Sequence, residues 1–147
     1  MMILNILAAI LLTFGMSIDI IQKREQLYCG AQNIYHESRG ESNSGQIAVS
    51  NVVRNRVKSK HYPNTICEVI WQPKQFSWTD DGRSDEPTNR KAFVKAVWLH
   101  LISKVFDRTK GATHFYAHEK VTPHWADALT VTNIIEHHTF GYIEEGK

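Results

Sequence analysis

The sequence lacks a marked excess of charge of either sign. Its 147 residues include 17 Lys and Arg against 15 Asp and Glu, which leaves a formal net charge of +2. No stretch combines a dense row of basic residues with interleaved aromatic residues, so a nucleic-acid partner is not expected. With 42% hydrophobic and 22% charged residues, the chain has the composition of one globular domain rather than of a disordered segment.

Motifs for metals, nucleotides and nucleophilic serines are also missing. The sequence has no His-Glu-x-x-His, no P-loop and no Gly-x-Ser-x-Gly pattern. His114 and His118 are four residues apart, but we predict them on a strand and a loop rather than on one helix face. The adjacent His137 and His138 would point to opposite faces of a strand. No metal or other cofactor is therefore expected.

Charged side chains are absent from the first eighteen residues, Met1 to Ile18. Such a stretch has no polar face to turn toward water, so a buried N-terminal helix is the weaker interpretation. Residues 1–23 are instead predicted to be a secretory signal peptide or a membrane signal-anchor, and Gly15 and Ser17 offer a small-x-small cleavage site. The working domain is then residues 24–147, exported from the cytoplasm and tethered to the membrane if the segment is retained.

Cysteine is scarce, since Cys29 and Cys67 are the only two. In an exported chain such a pair predicts a disulfide, with two free core thiols as the alternative. The disulfide would close a loop of about 37 residues and contribute roughly 3–4 kcal/mol by restricting the unfolded chain. Two cysteines alone cannot form a structural zinc site.

Helical periodicity dominates the rest of the chain. Helices are predicted at about Glu25 to Ser38, Asn43 to Val57, 64–71 and 88–106. The inward residues of the last helix are predicted to be Phe93, Ala96, Val97, Leu101 and Val105. Three strands are predicted, at 112–117, 129–134 and 138–143, the last two as a hairpin. The fold class is therefore α+β, mainly helical, with a small antiparallel sheet.

Glu37 is the candidate for acid chemistry. It lies at the edge of the apolar stripe of the first predicted helix, just before the turn marked by Gly40. Partial burial there would raise the pKa of its carboxyl group and leave it open to substrate. Cleavage of a glycosidic bond needs such a protonated carboxyl group near the leaving oxygen. Arg39 would oppose the rise in pKa if its side chain points inward.

Further acids and polar residues have two interpretations each. Glu41 is either a neighbour of Glu37 or a solvated loop acid. The loop at 74–87 carries three acids that could supply a second carboxylate, although loop acids are usually solvated: Asp80, Asp81 and Asp85. Gln46 is either a substrate contact or part of a capping box with Asn43. Arg56 is predicted as an ion-pair partner at the core edge rather than as a ligand-binding group.

Aromatic residues are concentrated in predicted loops and sheet edges. This placement predicts a carbohydrate-binding groove, because sugar faces stack on exposed rings, while core packing is the alternative for each residue. The candidates are Trp71, Phe76, Trp78, Phe115, Tyr116 and Trp125.

Several motifs occur in order along the chain. The first is Ala31-x-Asn33-Ile34-Tyr35-x-Glu37-x-Arg39-Gly40-Glu41-x-x-x-Gly45-Gln46, followed by Ala48-Val49-x-x-Val52-Val53-x-Asn55-Arg56-Val57. The others are Tyr62-Pro63-Asn64-Thr65-Ile66-Cys67, Gln75-Phe76-Ser77, Gly111-Ala112-Thr113-His114-Phe115-Tyr116-Ala117 and His138-x-Phe140. Together, from about Cys29 to Tyr142, the chain resembles the SleB/CwlJ-type cell wall hydrolases.

The resemblance implies a lysozyme-like or lytic-transglycosylase-like domain that cleaves peptidoglycan glycan strands between N-acetylmuramic acid and N-acetylglucosamine. The catalytic glutamate of the family opens its Glu-Ala-Arg-Gly-Glu motif, which corresponds to Glu37, with Ser38 in place of the alanine. A monomer in the periplasm or cell wall is expected, acting as an endolysin or in wall remodelling. The expected substrate contacts are Glu41, Gln46, Gln75, Phe76, Ser77, His114, Phe115 and Tyr116.

One carboxylate suffices for a lytic transglycosylase, whereas a hydrolase needs a second acid near the substrate. Because no motif supplies an obvious second acid, the transglycosylase is favoured. Three alternatives stay open: a hydrolytic muramidase or glucosaminidase, a zinc-dependent amidase acting through His114, His118 or His138, and a non-catalytic wall-binding module.

Overall fold

The computed structural model describes residues 18–144. Residues 1–17 of the predicted signal or anchor segment lie outside the described residues. Within residues 18–144, no helix is both long enough and apolar enough to cross a membrane.

Helix α1 spans Ile18–Ser38 and begins earlier than the predicted Glu25. No glycine or proline interrupts residues 18–24, and Asp19 forms an i,i+4 ion pair with Lys23 at 2.7 Å in the first turn. An acid at a helix N-terminus and such a pair both favour helix. Residues 18–23, assigned from the sequence to the export segment, are therefore helical and continuous with the rest of α1.

Helix α2 spans Asn43–Lys58 and follows α1 after a four-residue turn. The hydroxyl group of Ser42 caps it by accepting a hydrogen bond from the backbone N–H of Gly45 at 3.2 Å. The predicted capping role of Asn43 is wrong by one residue, because the serine before it has the extended backbone that an N-cap requires. Helix α3 is shorter than predicted, Ile66–Ile70, and is capped by Thr65.

Helix α4 spans Arg90–Ile102, with Asn89 as its N-cap, and is shorter than the predicted 88–106. Its predicted inward face is partly wrong, since Leu101 and Val105 are 44% and 74% exposed. Leu99 and His100 are buried instead. The apolar periodicity predicted the wrong inward face of α4 because the polar residue His100 is buried there. The sequence does not show the space in the core that holds this side chain.

His100 is buried where α4 packs against α1. A Cβ atom at Gly30 of α1 would overlap the imidazole ring, so only glycine allows this close approach. His100 Nε2 lies 3.1 Å from a guanidinium nitrogen of Arg54, which can only donate, and Nδ1 lies 2.7 Å from the hydroxyl oxygen of Ser50. Burial, with a contribution from Arg54, lowers the pKa of His100 to about 3.

In the described residues, three strands form one antiparallel sheet in the order β1-β3-β2. Strand β1 spans His114–Ala117, β2 spans Leu129–Ile135 and β3 spans His138–Ile143. The predicted terminal hairpin is confirmed, and β1 starts two residues later than predicted. The predicted α+β class, mainly helical with a small antiparallel sheet, is confirmed.

Helix α1 packs against α2, α3 and α4, and its face toward α3 carries Cys29. The structure joins Cys29 and Cys67 in a disulfide, with their Cα atoms 5.3 Å apart. The bond fixes α3, and the loop that follows it, against the middle of α1. That loop carries Gln75-Phe76-Ser77 toward the end of α1 where Glu37 lies.

Candidate active site

Glu37 lies in the last turn of α1, half-buried, at the edge of an open cleft. Burial raises the pKa of its carboxyl group to about 7, and the positive charge of Arg56 opposes that rise. Arg39, considered from the sequence for this opposing role, is exposed and lies over the Tyr35 ring with its guanidinium carbon 4.6 Å from the centroid. A carboxyl group with this pKa is partly protonated at neutral pH and can donate a proton.

Arg56 comes from the inner face of α2 and is only 6% exposed. It donates hydrogen bonds to the carbonyl oxygen of Thr113 at 2.8 Å and to the side-chain oxygen of Gln75 at 3.2 Å. Its guanidinium carbon also lies 5.4 Å from the centroid of the Phe76 ring. The sequence predicted Arg56 at the core edge but not that it borders the cleft. Its place in the Asn55-Arg56-Val57 motif was the one feature of the sequence that pointed to a role in the site.

Asn33 and Trp78 hold the loop after α3 beside Glu37. The indole N–H of Trp78 donates to the side-chain oxygen of Asn33 at 2.9 Å, and its ring stacks on His36 at 4.5 Å. Trp78 is therefore a packing residue of the core, whereas Ser77, its neighbour, lines the cleft.

The cleft has a volume of about 1250 Å³ and brings together most of the residues predicted from the sequence. It contains Glu37, Glu41, Gln75, Phe76, Ser77, His114, Phe115 and Tyr116. Trp125, one of the aromatic candidates for the groove, also lines the cleft. Further residues that were not predicted as substrate contacts line it too, among them Lys74, Glu119, Lys120, His137 and His138. Phe76 contributes to the floor, because it is only 2% exposed.

Trp125 forms the aromatic wall of the cleft together with two residues of β1. Its ring meets His114 edge-on at 5.2 Å and Tyr116 at 5.7 Å between centroids. The intervening residue, Phe115, also borders the cleft, but its ring stacks on Phe140 at 5.7 Å between centroids. Alternation along the strand thus gives one aromatic face to the cleft and anchors the other in the core.

Gln46 does not line the cleft. Its side chain is 1% exposed, and its amide nitrogen donates to the backbone carbonyl oxygen of Glu41 at 2.9 Å. Gln46 therefore does not face the cleft but stabilises, from the core side, the turn that carries Glu41.

Glu41 reaches the cleft from the turn between α1 and α2, with its side chain 17% exposed. One carboxylate oxygen lies 3.9 Å from Nδ1 of His138, and the other is buried without a hydrogen-bond partner among residues 18–144. Burial lowers the pKa of His138, while the negative charge of Glu41 acts to raise it. Glu41 is therefore a member of the cleft rather than a solvated loop acid.

A second, smaller basin of about 440 Å³ adjoins the cleft and shares Glu37 and Ser77 with it. Its lining is polar and includes Asp81 and Asp85, whereas Asp80 faces the main cleft. Glu37 thus lies where the two depressions meet.

The histidines of the amidase alternative do not form a common cluster. His114 and His138 line the cleft, while His118 lies 3.1 Å from the Thr139 hydroxyl oxygen through its Nδ1. In the described part of the chain, no group of three His, Cys, Asp or Glu side chains is arranged to hold a metal ion.

Comparison with known proteins identifies the family. The model of the cell wall hydrolase family matches residues 40–141. The chain belongs to the cell wall hydrolase family. Spore cortex-lytic enzymes of Bacillus cereus and Bacillus subtilis are 35% and 31% identical to it over 98 residues. These alignments cover 65% of this chain but 36% and 30% of the relatives, so the chain spans about a third of their length.

Two solved structures of this family share the fold. The catalytic domain of the germination-specific lytic transglycosylase SleB from Bacillus anthracis is 29% identical, with a TM-score of 0.68 over 79% of this chain and 93% of that domain. The SleB catalytic domain of Bacillus cereus is 30% identical, with a TM-score of 0.70 over 80% of this chain and 90% of that domain. The resemblance to SleB/CwlJ-type hydrolases is thereby confirmed.

Proposed function

We propose that this cell wall hydrolase cleaves the glycan strands of peptidoglycan as a lytic transglycosylase, with Glu37 as its acid and base. The observation that carries the proposal is the carboxyl group of Glu37, with a pKa of about 7, in an aromatic-walled cleft. The membership of the family and the likeness to a lytic transglycosylase domain support it. Glu37 lies just before the residues that the family model matches, so its role rests on this geometry and on the motif.

In this reaction Glu37 donates its proton to the glycosidic oxygen that leaves the C1 carbon of N-acetylmuramic acid. The carboxylate that remains then removes the proton of the C6 hydroxyl group of the same sugar, and the hydroxyl oxygen bonds to C1. The acid is regenerated, no water is consumed, and one product ends in an anhydro ring. A pKa near neutrality suits a group that must act in both directions.

The surrounding residues would bind the strand. Trp125 and Tyr116 offer faces for sugar rings, and Gln75, held by Arg56, offers a side-chain amide. We infer that the chain acts as a monomer outside the cytoplasm, at the cell wall. Tethering by a retained N-terminal segment is part of this proposal.

The decisive experiment is mass spectrometry of the fragments that the purified protein releases from peptidoglycan. Anhydro-muramic ends are expected from the wild type and from Glu25→Gln, a control on the same helix outside the cleft. Glu37→Gln is expected to release none. Equal release by Glu37→Gln would refute the assignment of the acid, and release of free stem peptides would indicate an amidase.

A hydrolytic mechanism is the second candidate, because Glu41 places another carboxylate in the cleft with one buried, unpartnered oxygen. A hydrolase would release reducing sugar ends and consume water. In that case Glu41→Gln and Asp80→Asn, tested separately, would identify the second acid by loss of activity. If the products carry anhydro ends and both variants stay active, this candidate is excluded.

A further inference from the structure

The outward face of α4 carries an apolar stripe that the fold leaves uncovered. Within the helix its members recur at the i, i+4, i+7 and i+8 spacing of one helix side, and two further apolar residues follow the helix end. Trp98, Val105 and Phe106 are 63%, 74% and 61% exposed. Among residues 18–144 nothing covers the stripe, which we define as Val94, Trp98, Leu101, Ile102, Val105 and Phe106.

Basic residues surround this stripe. Lys91 and Lys95 lie beside it on the same side of α4, and Lys104 and Arg108 lie at its far end; all four are exposed. The acid nearest along the chain, Asp107, already accepts hydrogen bonds from the backbone N–H groups of Thr109 and Gly111. Between residues 91 and 108 the charge is therefore positive around an apolar centre that contains a tryptophan and a phenylalanine.

The Phe106 end of the stripe lies toward the end of the molecule where α1 begins. Helices α1 and α4 run antiparallel, because Tyr35 accepts a hydrogen bond from the N–H of Asn89 at 3.1 Å while Gly30 contacts His100. The Ile18 end of α1 therefore lies toward the Phe106 end of the stripe. In the sequence, the charge-free stretch Met1–Ile18 runs directly into that end.

Glu37 lies at the opposite end of α1. Glu37 is nineteen positions after Ile18, and at 1.5 Å per residue this corresponds to about 28 Å along the helix axis. A surface held against the Phe106 end of the stripe would therefore lie at the end of α1 away from Glu37.

We propose that the apolar stripe of α4 is a membrane-contact surface that rests on an anionic lipid bilayer. Aromatic and aliphatic side chains flanked by Lys and Arg are the features by which a helix lies in a bilayer interface. The apolar centre enters the boundary of the acyl chains, and the basic flank meets the lipid phosphates. A symmetric contact with a second copy is disfavoured because it would bring the same lysines together.

A fluorescent probe tests the proposal in the full chain. The sequence contains only Cys29 and Cys67, which form the disulfide, so Val105→Cys introduces a unique thiol for an environment-sensitive dye. Val121→Cys is the matched control, because Val121 is also an exposed valine, 52% accessible, but lies at the cleft. The vesicles contain phosphatidylcholine and phosphatidylglycerol, with or without a nitroxide-labelled lipid.

On these vesicles we expect a blue shift and nitroxide quenching of the dye at position 105 and no change at position 121. High salt, or Lys91→Glu with Lys95→Glu, should reduce the quenching. A dye at 105 that behaves like the one at 121 would overturn the proposal, even if the whole protein is bound to the vesicles. A dye at 105 that is already blue-shifted before vesicles are added would overturn it too, since a second copy or residues 1–17 would then cover the stripe.

Discussion

Arg56 faces the same cleft as Glu37 although the two residues come from different helices. The guanidinium group is fixed by the Thr113 carbonyl and by Gln75, so its charge cannot move away from the acid. Burial raises the pKa of Glu37, and Arg56 limits the rise to a value of about 7. The acid strength of the site is therefore set by two opposed effects, and each can be changed separately.

The pH dependence of cleavage should follow the protonated fraction of Glu37. Because the acid must carry its proton to start the reaction, kcat/KM should fall as the pH rises above about 7. Initial rates of peptidoglycan cleavage, measured from pH 5 to pH 9 in a buffer series of constant ionic strength, check this. A profile that stays flat through this range would mean that Glu37 is not the acid.

Removal of the positive charge at position 56 should shift the alkaline limb of the pH profile, which is the fall of kcat/KM above about pH 7. In Arg56→Met the pKa of Glu37 is no longer held down, so the alkaline fall of kcat/KM should shift to higher pH. Arg56→Lys retains the charge and should keep the limb near its original position, with lower activity from the lost hydrogen bonds. If Arg56→Met and Arg56→Lys give the same limb, charge is not the link between the two residues.

Replacement of Glu37 by glutamine should stabilise the fold at high pH. The folded pKa of Glu37 is raised to about 7 from 4.5, so the folded state binds the proton more tightly between these values. The stability from this proton is fully present below pH 4.5 and is lost as the pH rises through about 7, so above pH 7 the free energy of unfolding is lower by about 3 kcal/mol at most. Glu37→Gln removes that loss and should exceed the wild type in stability at pH 8 but match it near pH 4.

Urea unfolding at both pH values measures this difference. Glu25→Gln, on the same helix at an exposed position, is the control and should follow the wild type at both. An equal stability of Glu37→Gln and wild type at pH 8 would contradict the raised pKa.

The positions of most cleft residues could be predicted because each belongs to an element with a clear local signal. Glu37 follows a regular apolar stripe, and His114 and Tyr116 alternate along a strand. The role of Gln46 could not be predicted, because its partner is a backbone carbonyl in a turn whose path depends on tertiary packing. The same holds for the inward face of α4, where His100 is buried only because Gly30 on another helix leaves room.

The disulfide should stabilise the whole domain. It joins residues separated by 38 positions, and closing a loop of this size in the unfolded chain is worth roughly 3–4 kcal/mol. Cys29→Ala combined with Cys67→Ala should therefore lower the free energy of unfolding by about this amount. Chemical denaturation measures it, and reduction of the wild type with a thiol reagent should give a similar loss. A double variant as stable as the oxidised wild type would contradict the prediction.

Acid should destabilise the fold through His100. The folded pKa of His100 is about 3 and the ordinary value is 6.5, so between these values the unfolded state binds more protons. The free energy of unfolding should thus fall as the pH drops below 6.5, by up to about 1.4 kcal/mol per pH unit from this residue. His100→Gln cannot take up that proton and should show a shallower loss of stability, while the exposed His124→Gln should retain the slope of the wild type.

Urea midpoints collected from pH 4 to pH 7 compare the three proteins. Identical slopes for His100→Gln and the wild type would show that His100 does not control acid sensitivity, and would assign it to the carboxylates.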